Sequence, residues 1–181
     1  PEVYEVEGRE NQVGPKAVAA PGSLLAWTLA LRRYGTMSLA DVMQPATRYP
    51  TRGFAVTSYL SDCIDSAPAD LSQDRLAAAR LLPDGAPLKA GTRLVQADYG
   101  EALTLIARQG EAALHGGPLG DLLVECMQKA GGFVGMKDLT DYRVVERAPI
   151  RGRYRDWEIV GPPPPAASRG HLAPMLQILQ G

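Results

Sequence analysis

The sequence predicts an α+β fold. A mainly helical region spans about residues 22–142, a strand and polyproline connector about 144–170, and the start of a further helix 171–181. Three observations carry this expectation. Successive segments repeat apolar residues at helical spacing, each opened by a capping residue or proline and closed by glycine or proline. At Val144 the texture changes to β-branched and aromatic residues with partial alternation. Beyond it, Pro162–Pro165 form a stiff run that neither a helix nor a central strand accommodates. No repeat of fixed period crosses the chain.

The first helix is "SLLAWTLALRRYG", with Arg32 and Arg33 in its last turn, where the dipole favours cations, and Gly35 as its stop. Ser38 and Asp41 have capping-box spacing at the head of "SLADVMQPATRY", and Pro45 is expected to kink or shorten that helix. Thr57 caps "SYLSDCIDSA", which Pro68 stops, and "SQDRLAAARLL" forms a fourth helix. "PDGAPLKAGTRLVQ" reads as turn, extended piece, second turn and short strand. Asp98 and Glu101 suggest a capping box for "YGEALTLIARQG", with Gly110 past its end. "PLGDLLVECMQKAGG" has Pro118 in its first turn and Gly131 as its stop, and "MKDLTDYR" adds a turn or two. Strands are then expected over Val144–Ile150, at Arg153 or Tyr154, and over Trp157–Val160, with breaks at Arg-Gly and Arg-Asp.

The chain has 181 residues, 45% hydrophobic and 22% charged, with net charge -1. That supports a buried core, and with cations spread along the chain it excludes a nucleic-acid binder, which needs a basic surface. Leu24–Leu31 is the longest apolar stretch, with Thr28 inside it and Arg32 after it. That is short of the roughly 20 residues that cross a bilayer. Pro1–Glu10 lacks signal-peptide character; the chain starts without Met and ends within the apolar pattern Met175–Leu179, so it reads as an internal piece. Cys63 and Cys126 read as small buried thiols rather than a disulfide.

General catalytic motifs are absent: no phosphate loop, dinucleotide fingerprint, CxxC, HExxH or GxSxG. "GGFVG" follows a helix and reads as its stop. His115 reads as a surface or capping histidine, because no neighbouring carboxylate or cysteine completes a pair. His171 reads as a neutral histidine opening the last helix. Asp138 and Asp141 share a solvated face, with Glu146 the third member of an acidic trio, and Trp27 and Trp157 read as core or interface residues. No catalytic, substrate-binding, cofactor or metal residue is assigned from these patterns.

Read in order, "VGPKAVAAPGSLLAWTLALRRYGTMSLADVMQPATRYPTRGFAV", "LPDGAPLKAGTRLVQADYGEALTLIARQG" and "AGGFVGMKDLTDYRVVERAPIRGRYRDWEIVGPPPP" resemble the large subunit of γ-glutamyltranspeptidases. The resemblance covers nearly the whole chain. It implies an N-terminal nucleophile hydrolase, an αββα sandwich that cuts itself into two subunits, of which this chain is a mainly helical large-subunit portion. It further implies a threonine nucleophile at the start of the small subunit, its α-amino group as base, and backbone amides holding the oxyanion. The implied partners are that small subunit and a γ-glutamyl small molecule of the glutathione type, with no metal or organic cofactor. Compartment stays open: export follows from the resemblance, and the cytoplasm is not excluded.

No threonine here is followed by histidine, as the family's nucleophile context requires, and Arg9 does not match the motif of the arginine that grips the substrate carboxylate. The resemblance fades at Ala166, Ala167, Ser168 and Arg169, where relatives show "SSGG", and at Pro174, where glutamine is usual. Local packing is expected to differ there. Two alternatives stand beside the γ-glutamyl reading. One is an acylase acting on glutaryl or other acyl amides, similar to cephalosporin acylases. The other is an inactive scaffold whose Pro162–Pro165 run docks on a partner as polyproline II.

Overall fold

The computed structural model describes residues 8–163 together with 175, 176, 178 and 179. The chain divides into two units, Pro1–Arg143 and Val144–Gly181.

In the first unit, α1 (Ser23–Tyr34) ends as its sequence predicts, with Arg32 and Arg33 in the last turn and the Gly35 amide bonded to the Leu31 carbonyl. In α2 (Leu39–Arg52), the Ser38 hydroxyl accepts the Asp41 amide at 3.2 Å and donates to the Asp41 carboxylate at 2.6 Å. The expected shortening at Pro45 does not occur: α2 continues through Pro45 and Pro50 to Arg52. Its most extensive helix–helix contact is with α6 (Ala97–Gln109), where Pro50 is buried and Gly100 meets Thr51 so closely that a Cβ would overlap the hydroxyl. Tertiary packing offsets the lost amide hydrogen bonds.

Phe54–Ala55 (β1) pairs antiparallel with Arg93–Leu94 (β2), Phe54 opposite Leu94. The two-residue strand β1 has no sequence signature of its own. Between them lie α3 (Ser58–Asp65), capped by Thr57 as expected, α4 (Pro68–Leu71) and α5 (Arg75–Leu81). The cap of α5 is Asp74, which accepts the Ala77 amide at 2.7 Å, so the helix starts at Arg75 rather than at the head of the expected segment, Ser72. Val56, Ile64, Leu82, Leu88 and Leu94 form one core.

A second core joins Val124, Val134 and Leu139. It unites α7 (Pro118–Ala130) and α8 (Met136–Asp141). Gly131 is left-handed (φ 73°, ψ 26°), and the Gly132 and Gly131 amides return to the Met127 and Gln128 carbonyls. This is the helix stop predicted from "GGFVG".

In the second unit, β3 (Ile150–Tyr154) and β4 (Trp157–Gly161) form an antiparallel hairpin. The Arg-Asp break is its two-residue turn, with Arg155 left-handed at φ 51°. The Arg-Gly pair is no break, because Gly152 sits within β3 opposite Ile159. The expected strand from Val144 is absent up to Pro149, which has no amide to give a ladder. Met175, Leu176 and Ile178 are helical, while the predicted start at His171 and the residues from Pro164 to Pro174 lie outside the described residues.

Candidate functional site

The two cysteines are not buried. Both are free and exposed. Cys63 immediately precedes Ile64, which faces the core, and a helical step turns it about 100° away. Cys126 lies two such steps beyond buried Val124. Trp27 and Trp157 are 69% and 75% exposed and belong to neither core. Trp27 precedes the buried Thr28, and Trp157 stands at the turn end of the hairpin opposite Tyr154.

The acidic candidates have local roles. Asp138 accepts the Gly135 amide at 2.8 Å and so caps α8, while Asp141 pairs with Lys137 one turn back. Both are exposed, and Glu146 belongs to the second unit. Asp98 does not form the expected capping box. Gln96 precedes α6 without a side-chain cap, and Asp98 reaches Arg80 on α5 instead. Hydrogen bonding from that guanidinium holds the Asp98 carboxyl below its ordinary value.

One ion pair has no sequence signature. Arg32 of α1 meets Glu111 at 2.7 Å, beside Thr28, which is only 4% exposed. Burial by itself pushes the Glu111 carboxyl up. Hydrogen bonds from its own amide, Arg32 and Thr28 outweigh that, and the net shift is downward. Sequence reading missed the pair because its members lie far apart in the chain and on different elements.

A cavity of about 500 Å³ is lined by Val13, Pro15, Asp70, Asp74, Cys126 and Met127, among others. Its carboxylates already have structural partners. Asp70 takes both arms of Arg9 at 3.0 and 3.2 Å, and Asp74 caps α5. Neither is poised as a general base. Among the described residues, no three His, Cys, Asp or Glu side chains are grouped to hold a metal ion. No helix of the described residues is long and apolar enough to cross a membrane. His115, finally, is half-buried and bonds the Leu139 carbonyl of α8, a distant partner, rather than lying at the surface or capping the helix it follows.

This mainly helical arrangement with two short antiparallel strand pairs is a portion of the N-terminal nucleophile hydrolase fold. It superimposes on Helicobacter pylori gamma-glutamyltranspeptidase with a TM-score of 0.91 at 24% identity, over 97% of this chain and 50% of that one. The family model for Gamma-glutamyltranspeptidase matches residues 1–181, and the chain belongs to that family. It is 52% identical over 177 residues to the Acylase ACY 1 proenzyme of Pseudomonas sp. (strain V22), covering 98% of this chain and 32% of that protein. It is 36% identical over 175 residues to the Glutathione hydrolase proenzyme of Escherichia coli (strain K12), covering 96% and 30%. The chain thus spans about a third of the length of the curated relatives it matches.

Proposed function

We propose that this chain is an internal part of the large subunit of an autoprocessed amide hydrolase and acyl transferase that cleaves γ-glutamyl bonds. The observation that carries the reading is the family match across all 181 residues. In this reading a threonine outside the chain, exposed by self-cleavage, attacks the γ-glutamyl amide carbonyl. Its hydroxyl proton passes through its own α-amine to the departing amine, leaving a γ-glutamyl ester. Water or an acceptor amine then resolves the ester. The residues described above build and brace helical layers, and the catalytic groups come from elsewhere in the polypeptide. The commitment of Asp70 and Asp74 to structural partners supports that division. The names of both relatives as proenzymes support a processed partner subunit.

A second reading rests on the 52% identity to an acylase, against 36% to a glutathione hydrolase over comparable spans. In it the acyl group is glutaryl or a similar chain without the γ-glutamyl amine. Incubating the full-length protein with γ-glutamyl anilide and glutaryl anilide separates the two. Glutamate release supports the first reading, and turnover of the glutaryl substrate alone supports the second. A single uncut chain inactive on both substrates defeats both in favour of a scaffold.

A further inference from the structure

The 3₁₀ segment Gly110–Ala113 packs on α6, α1 and α7, and His115, two residues beyond it, links the following turn to α8. His115 Nδ1 lies 2.8 Å from the carbonyl oxygen of Leu139. A carbonyl oxygen only accepts, so Nδ1 carries the hydrogen. Nε2 is buried and finds no hydrogen-bond partner among the described residues. A hydrogen placed there would be a buried donor with no acceptor among the described residues. Both nitrogens therefore select the same tautomer.

The carbonyl that His115 takes belongs to the final turn of the six-residue α8, where carbonyls lack intrahelical partners. Leu139 is the one buried residue of α8, at 0% exposure, and it holds that helix to the second core. Three residues on, the Tyr142 ring lies 6.3 Å from the imidazole, and its phenol end packs against Gly22 so tightly that a Cβ there would overlap it. One imidazole thus binds the turn to α8 beside the point where Tyr142 closes on the start of α1.

We propose that His115 is a tautomer-specific clasp that governs local opening of α8. A helix this short has too few internal hydrogen bonds to hold itself, so its opening depends on Leu139 burial and on this bond. This inference is independent of the substrate the enzyme takes.

The test is hydrogen exchange of the 136–142 backbone in the full-length protein at one alkaline pH, for wild type, H115N, H115Q and H115F. Asparagine places an amide donor near the position of Nδ1, whereas glutamine mimics Nε2. H115N is expected to keep exchange close to wild type. H115Q and H115F are expected to accelerate it about tenfold, as loss of one net hydrogen bond implies, with 97–109 unchanged. Equal exchange in all four proteins, or protection by H115Q matching H115N, overturns the clasp. Should the variants fail to fold, imidazole ¹⁵N spectra of the wild type decide. A protonated Nδ1 with a bare Nε2 supports the assignment, and the opposite tautomer refutes it.

Discussion

The α2–α6 pair and the corner around residues 110–117 are stabilised in different ways. The pair is a long contact of close-packed backbones, with Pro50 buried and Gly100 set against Thr51. It keeps a helix intact through two prolines that local propensity would place at its end. The corner has shorter elements, held by single polar links: Arg32 to Glu111, and His115 to Leu139. Steric fit therefore governs the first region. The second also answers to directional bonds and charge, with Leu139 as its larger apolar anchor beside fully buried Ala113.

That anchor gives the largest expected effect. Leu139→Ala removes a fully buried side chain and should cost about 2–5 kcal/mol in denaturant unfolding. A cost near zero would show that polar links alone hold the corner. Next, Gly100→Ala should destabilise by about 1–3 kcal/mol through overlap with Thr51, and the same change made in Thr51→Ala should be neutral or stabilising. Equal costs in both backgrounds would mean that fit against Thr51 is not what limits the α2–α6 contact.

The smallest effect concerns charge. Glu111 has a depressed folded-state pKa, so it contributes stability above its unfolded value that is lost as pH falls through the folded value. Arg32→Ala removes one cause of the depression, so stability at neutral pH should fall and the loss on acidification should shrink and end at a higher pH. Unfolding midpoints between about pH 6 and about pH 3 read this directly. Superimposable profiles would remove the ion pair from the account of the corner.

Features fixed by a few neighbouring residues were legible in the sequence. Ser38 and Thr57 cap the helices they precede, Gly131 stops α7, and Arg155-Asp156 turns the hairpin. Each depends on partners within about four residues, as capping and turn chemistry do. The family was legible too, through the order of these segments along the chain.

Tertiary structure decided everything whose partner is distant in sequence. It carried α2 through Pro45, paired β1 with β2, and drew Asp98 to Arg80 instead of a capping box. It turned both cysteines outward and gave His115 the Leu139 carbonyl, 24 residues away. The physical reason is common to all of these. A cap is satisfied by the backbone beside it, whereas burial and cross-element bonds depend on which surfaces meet when helices pack, and local residue order does not encode that meeting.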